Sequence, residues 1–140
     1  MREPSSGDGV GRPPVPFPPV TIDFRISDRE IDSRTHLVEL GGEVDLYTAP
    51  EFKERLSGAI ESGKQRLVVD LSETTFIDST TLGVLVGAEK QLRASDGAVV
   101  LVCPERNIRK VFEITGLDRV FTMHDSRDEA LADASGEPAG

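Results

Sequence analysis

Cysteine and tryptophan are nearly missing from this sequence. Its 140 residues include one cysteine, Cys103, and no tryptophan. A single cysteine excludes an intramolecular disulfide and a cysteine-rich zinc site. Cys103 follows an apolar strand pattern and is interpreted as a small core residue. Six phenylalanines and one tyrosine, with 37% apolar residues in all, can fill one modest core, and the length suits one domain of about 100–150 residues.

Long apolar runs and an excess of basic residues are also lacking. A membrane-spanning helix needs about 20 consecutive apolar residues, and the runs here are only a few residues long. The N-terminus has no apolar core typical of a signal peptide. The formal net charge is −9, which makes nucleic acid a poor partner because Lys and Arg must neutralise its phosphates. These features predict a cytoplasmic protein with no membrane segment and no direct nucleic-acid contact.

Motifs for nucleotide binding and catalysis are absent as well. The sequence contains no phosphate-binding loop, no dinucleotide fingerprint and no nucleophile elbow. His36 and His124 have no metal-ligand partner at a suitable spacing. Asp70 and Asp78 could form an acid–base pair, but no cofactor signature accompanies them. We therefore predict a protein that is not an enzyme and that binds no cofactor and no metal.

Composition divides the chain into three parts. Residues 1–20 are rich in glycine, proline and serine, which predicts a disordered leader. A ligand for a proline-recognition domain is the alternative interpretation of this leader. Residues 21–132 carry alternating strand and helix patterns and predict one α/β domain. Residues 133–140 are predicted to form a flexible acidic tail.

The order of patterns in the domain is two strands, then helix and strand alternating until a final helix. Residues 67–71 are nearly all apolar, as in a strand covered on both faces. Alternation of this kind predicts a mostly parallel or mixed sheet with helices packed on it. Polar residues 27–29 and 32–34 offer turns between the first two strands. Thr48 and Glu51 have the spacing of a capping box at the first helix.

Two glycines interrupt the pattern of the second helix. Gly83 and Gly87 each cost roughly 1 kcal/mol relative to alanine inside a helix. Their spacing of one turn indicates a close approach by the sheet or by a partner. For at least one of the two glycines, the sheet is the favoured neighbour.

The most informative stretch is residues 76–83, Phe-Ile-Asp-Ser-Thr-Thr-Leu-Gly. It follows a strand pattern and opens a helix pattern. If Asp78 is the N-cap, Ser79 lies in the first turn, where free N–H groups and the helix dipole favour a phosphate. Phosphorylation there would add about −1.5 to −2 units of charge beside Asp78. The residues themselves leave two interpretations open, a simple helix cap and a phosphorylation site.

Three motifs together resemble one known family. Residues 76–80, followed by Leu-Gly-Val-Leu at 82–85, resemble the signature of the STAS family, specifically the bacterial anti-sigma factor antagonists. Residues 42–45, Gly-Glu-Val-Asp, and residues 114–117, Ile-Thr-Gly-Leu, resemble two further elements of that family in the same order. The resemblance spans roughly residues 21–132. It implies a STAS-like single domain, a small mixed β-sheet with helices packed on one face.

The resemblance also implies a function. The unphosphorylated protein would bind an anti-sigma factor, often a serine kinase with a GHKL-type ATP site, and so free a sigma factor for transcription in a stress response. The kinase would phosphorylate Ser79, the serine after the motif aspartate, and thereby inactivate the antagonist. Thr80 is a lesser candidate for modification. A PP2C-type phosphatase would reverse the reaction.

The implied partner-binding residues lie in two segments: Asp45, Asp78, Ser79, Thr80, Thr81 and Gly83. Thr81 departs from the family pattern, which usually has glycine there, and its side chain bears on the geometry of the partner contact. The alternative function is a STAS domain that has lost the switch. Such a domain would serve as a sensor or scaffold and bind a nucleotide or another small ligand.

Overall fold

The computed structural model describes residues 23–134. The predicted leader, residues 1–20, and most of the predicted tail, residues 133–140, lie outside the described residues. The strands and helices follow in this order: β1 (Phe24–Glu30), β2 (Thr35–Val44), α1 (Ala49–Glu61), β3 (Arg66–Ile77), α2 (Ser79–Arg93), β4 (Ala98–Val102), α3 (Arg106–Thr115), β5 (Thr122–His124) and α4 (Arg127–Ala134).

The strands form one mixed sheet in the order β1-β2-β3-β4-β5. β1 is antiparallel to β2, whereas β2, β3, β4 and β5 are mutually parallel. The α/β class with a small mixed sheet is therefore confirmed. The expected turn at residues 27–29 is wrong, because β1 continues through them, with Ser27 opposite Glu39 and Arg29 opposite Leu37. Polar side chains are tolerated there because β1 is an edge strand.

Two apolar clusters lie on opposite faces of the sheet. The larger cluster joins β2, β3 and β4 to the inner sides of α1, α2 and α3. The smaller cluster packs Ala130 and Ala134 of α4 against Leu37, Val68 and Val100 of the strands. The expectation that the helices pack on one face is therefore wrong for α4. The central strands are apolar on both faces, so the second face also needs a cover.

The pairing of β2 with β3 positions the motif residues. Val44 is opposite Ile77, so both parallel strands end at the same edge of the sheet. The chain leaves β2 into Asp45 and leaves β3 into Asp78. Two motifs that are 33 residues apart in the sequence therefore emerge side by side.

Candidate functional site

Asp78 caps helix α2. Its backbone is extended, and its side chain accepts a hydrogen bond from the Thr81 backbone N–H at 3.0 Å. This geometry satisfies one of the free donors of the first turn and confirms the N-cap prediction. Ser79 is the first residue of the helix and is exposed, as is Thr80. The cap and the exposed hydroxyl are thus supplied by different residues.

Thr81 is turned into the protein. Its side chain is fully buried, and its hydroxyl lies 3.1 Å from the carbonyl oxygen of Val44 and 3.1 Å from the Asp78 carboxylate. The hydroxyl satisfies a buried acceptor at the end of β2 and ties α2 to that strand. The prediction that Thr81 contacts a partner is therefore wrong for its side chain. The side chain that Thr81 has in place of the family's usual glycine therefore lies inside the protein and not on the exposed surface around Ser79.

Asp45 shapes the loop between β2 and α1. Its carboxylate accepts from the backbone N–H of Tyr47 at 2.9 Å and of Thr48 at 3.2 Å. The Thr48 hydroxyl turns back and accepts from the Asp45 N–H at 2.9 Å, so the expected capping box is not formed. Glu51 pairs instead with Arg55 on the next turn, at 3.1 Å. The hydrogen bonds of the Asp45 loop therefore form in place of the capping box that the Thr48–Glu51 spacing predicted.

The same edge carries three exposed, large apolar side chains. Leu46 is 55% exposed, Tyr47 77% and Phe76 49%. Leu46 and Tyr47 are held outside by the Asp45 loop, and Phe76 lies on β3 opposite Glu43. Sequence reasoning missed these residues as parts of the site. Two consecutive large apolar residues in a loop between a strand and a helix were the available signal.

Gly83 and Gly87 face outward. Both are exposed, and a Cβ added at either position would meet nothing within 4 Å. The expectation that the sheet approaches one of them closely is wrong. The two glycines instead border a groove between α1 and α2 with a volume of about 310 Å³. Residues lining the groove are Lys53, Leu56, Ser57 and Ile60 of α1, with Thr80, Gly83, Val84, Gly87, Ala88 and Gln91 of α2.

The other candidate reactive groups have structural roles. Cys103 is fully buried, and this burial raises the pKa of its thiol to about 11, which disfavours the reactive thiolate. Asp70 is also buried and accepts from the Arg127 guanidinium at 2.9 Å. Eight residues of extended strand separate Asp70 from Asp78, or about 26 Å, so the two carboxylates cannot act as an acid–base pair.

Helices that could cross a membrane were sought in residues 23–134. None of them is both long enough and apolar enough to do so.

Known proteins are similar to this chain in sequence and in fold. A family model, the STAS domain, matches residues 27–130. The chain is 36% identical to the anti-sigma-B factor antagonist of Listeria monocytogenes over 113 residues, which cover 79% of this chain and 95% of that protein. This chain belongs to the STAS family.

Two solved structures extend the comparison. An anti-sigma factor antagonist from Mycobacterium paratuberculosis has a TM-score of 0.74 and 25% identity, over 81% of this chain and 95% of that one. The Bacillus cell fate determinant SpoIIAA in its phosphorylated form has a TM-score of 0.63 and 25% identity, over 79% and 98% of the two chains.

Proposed function

We propose that this protein is an anti-sigma factor antagonist whose binding state is set by phosphorylation of Ser79. The observation that carries the proposal is the exposed Ser79 at the N-terminus of α2, where Asp78 supplies the cap. The serine hydroxyl is thus available at the surface without being required for the helix end. The Listeria relative, named an anti-sigma-B factor antagonist, supports the role.

A phosphate at Ser79 is compatible with the fold. The free N–H groups and the positive end of the α2 dipole favour an anion at this position. The added charge of about −1.5 to −2 units lies beside Asp78 and near Asp45. A partner surface fitted to a neutral hydroxyl would then face a concentrated negative charge. Phosphorylation therefore changes binding and leaves the domain folded.

The docking face consists of three parts around Ser79. Asp78, Ser79 and Thr80 form the centre, and the loop that begins at Asp45 lies on one side. Gly83 opens the groove between α1 and α2 on another side. This face combines exposed apolar side chains with hydroxyls and carboxylates, a composition that suits a protein partner better than a catalytic step.

The partner in this proposal is an anti-sigma factor that is also a serine kinase with a GHKL-type ATP site. Unphosphorylated protein binds it in the cytoplasm and frees a sigma factor. The kinase inactivates the antagonist at Ser79, and a PP2C-type phosphatase restores it. The chain itself acts as a binding module and substrate and performs no catalysis. SpoIIAA, which has been solved in a phosphorylated form, supports a switch of this kind.

Intact-mass measurement tests the proposed switch. The full chain is incubated with its cognate kinase and ATP, beside Ser79→Ala and Thr80→Ala. We expect one added phosphate on the unchanged chain and on Thr80→Ala, and none on Ser79→Ala. Phosphate on Ser79→Ala, or an unchanged mass for all three with a kinase that is active on another substrate, contradicts the proposal.

A sensor or scaffold is the second candidate, favoured by the groove beside Thr80. Its volume of about 310 Å³ is at the lower end for small-molecule sites. A nucleotide or another small ligand in this groove would require no phosphorylation. Partner binding that is the same for Ser79→Asp and the unchanged chain would favour this second function.

A further inference from the structure

We propose that the groove between α1 and α2 binds an amphipathic helix of the anti-sigma factor. The identity of this partner rests on the proposed function. The shape and the charge of the partner segment come from the groove itself, and they give Gly87 and Lys53 a role in binding.

The groove has the form that a third helix requires. Its lining residues recur at intervals of three or four, from Lys53 to Ile60 on α1 and from Thr80 to Gln91 on α2. Each wall is therefore one face of a helix. The stretch from Thr80 to Gln91 rises about 16 Å, or about three turns. Side chains in such rows form ridges, and another helix packs into the groove between two ridges.

Gly83 and Gly87 keep one wall of the groove low. Both lie in the interior of α2, where glycine is a poor helix former. A Cβ at either position would meet no described atom within 4 Å, so the packing of the domain does not require glycine there. Without side chains at these two positions, the backbone of a docked helix can approach α2 closely.

The groove is apolar along its length and polar at its ends. Leu56 and Ala88 are buried in it, and Val84 is partly buried beside them. Thr80 and Gln91, at the two ends on α2, are exposed. An apolar strip of this kind fits the apolar face of an amphipathic helix, whose polar face remains in water.

Lys53 predicts the charge of the docked helix. Among the described residues that line the groove, Lys53 alone is charged, and it forms no ion pair within residues 23–134. Because α1 and α2 follow two parallel strands, both begin at the same edge of the sheet, so Lys53 lies toward the Thr80 end. The docked helix should carry a carboxylate at this end. A phosphate on the neighbouring Ser79 would repel that carboxylate, which adds to the effect of phosphorylation.

A second copy of the chain fits the groove less well. The inner sides of α1, α2 and α3 are buried in the larger apolar cluster, and α4 buries its alanines against the sheet. The apolar faces of these helices are thus already occupied. The net charge of −9 also opposes association of two copies.

Substitution of exposed helical glycines tests the groove. The matched control is Gly58, which is exposed in the interior of α1, has no described atom within 4 Å of an added Cβ and does not line the groove. Gly87→Leu, Gly58→Leu and Lys53→Gln are compared with the unchanged chain. Calorimetry measures the affinity for the purified cognate anti-sigma factor, and thermal unfolding measures stability.

We expect Gly87→Leu to weaken binding at least about tenfold, because the added side chain fills the space of the docked helix. Gly58→Leu should bind as the unchanged chain does. Neither variant should unfold at a lower temperature, because leucine is the better helix former, so lost binding will not reflect lost folding. Lys53→Gln should weaken binding less than Gly87→Leu and should reduce its dependence on salt.

Cross-linking shows whether the bound segment is a helix. Gln91→Cys places an accessible thiol at one end of the groove, and the native Cys103 is buried. The new thiol is labelled with a benzophenone maleimide and irradiated in the complex. We expect links to residues three or four apart in one segment of the anti-sigma factor. Links to alternate residues would indicate a strand and overturn the proposal.

The affinities separate this proposal from the switch at Ser79. Equal affinities of Gly87→Leu and the unchanged chain would overturn the groove contact, even if Ser79→Asp weakens binding. If only Gly87→Leu weakens binding, the groove contact stands and the switch fails. Self-association that Gly87→Leu abolishes would make the occupant a second copy. Groove amide shifts that move with ATP, at unchanged partner affinity, would make the occupant a small ligand. Either result would overturn the proposal.

Discussion

The corner at α2 and the contact that anchors α4 use polar groups in opposite ways. At the corner, Asp78 and Thr81 bond to backbone groups, and the Ser79 hydroxyl is left at the surface. At α4, the Arg127 guanidinium lies between Asp70 and Glu39, so the polar groups satisfy one another. The hydrogen bond to Asp70 raises the pKa of Arg127 further and keeps it charged.

This difference separates the proposed binding surface from a contact that holds α4 in place. In the α4 contact, the charged side chains of Arg127, Asp70 and Glu39 bond to one another. The hydrogen bonds of Asp78 and Thr81 at the α2 corner do not involve Ser79, so we expect that a charge added to Ser79 leaves the domain folded. Charged residues alone therefore do not mark the functional site. In the proposed function, the site is marked by the exposed Ser79 hydroxyl, which the helix cap does not use.

Removal of Arg127 should have the largest effect on stability. Arg127→Ala leaves the Asp70 carboxylate, which is 5% exposed, without its charged partner, and of the described residues only Ser72 still donates hydrogen bonds to it. Because the Arg127 side chain is itself 36% exposed, we expect a loss of about 3 kcal/mol, the lower end of the range for a broken buried ion pair. Urea unfolding measures the loss, with Arg119→Ala as an exposed control. Equal stability of the two variants would show that this contact does not hold α4 in place.

Loss of the Thr81 hydroxyl should cost less. Thr81→Val keeps the shape and leaves the Val44 carbonyl without its donor, at a cost of about 1–3 kcal/mol. Thr80→Val is the matched control, since Thr80 is exposed, and it should stay within about 0.5 kcal/mol of the unchanged chain. If both variants lose the same free energy of unfolding, the inward role of Thr81 is wrong.

Asp78→Ala and Ser79→Ala should differ in stability, because Asp78 caps the helix and Ser79 is the proposed modification site. Asp78→Ala should lower stability by about 1 kcal/mol, the usual cost of a lost N-cap. Ser79→Ala should change it by less than about 0.5 kcal/mol, because its hydroxyl is not the cap. Thermal unfolding of the two variants measures the difference. A larger loss for Ser79→Ala would make the serine structural.

The smallest effect is expected from pH, at a site remote from the corner. Burial opposes ionisation of Asp28, but hydrogen bonds from His36 and Arg55 outweigh it and lower the pKa of this carboxyl. A lowered pKa in the folded state stabilises the fold above the unfolded pKa of about 3.9. That stabilisation is lost as the pH falls through the folded pKa.

Acid titration of stability checks this sign. Asp28→Asn should flatten the fall in unfolding free energy at acid pH, with Asp118→Asn as an exposed control. If the unfolding free energy of Asp28→Asn falls at acid pH as steeply as that of the unchanged chain, Asp28 does not contribute to the acid sensitivity of the fold.

The sequence predicted features that depend on neighbours along the chain. Asp78 as a cap and Ser79 as the first residue of a helix follow from a few consecutive residues. The direction of Thr81 did not, because its acceptor, the Val44 carbonyl, comes from a strand 37 residues earlier. The face covered by α4 depends on which side of the sheet the chain crosses to. Long-range contacts of this kind leave no local pattern.

The capping box at Thr48 shows the limit of local patterns in another way. The Asp45 carboxylate accepts from the Thr48 N–H that Glu51 would have used, and the Thr48 hydroxyl accepts from the Asp45 N–H instead of the Glu51 N–H. Competition between two plausible local bonds is decided by the path of the chain after β2. That path is set by the register of the whole sheet.

In the proposed mechanism, a negative charge at Ser79 alone switches partner binding. The most direct test of this mechanism is the affinity of the cognate anti-sigma factor for the unchanged chain, Ser79→Asp and Thr80→Asp, each first shown to be equally stable. Like-charge contact at an interface costs several kcal/mol, and 1.4 kcal/mol is a factor of ten. We predict that Ser79→Asp weakens binding at least about tenfold and that Thr80→Asp weakens it less. Equal affinities for Ser79→Asp and the unchanged chain would contradict the account.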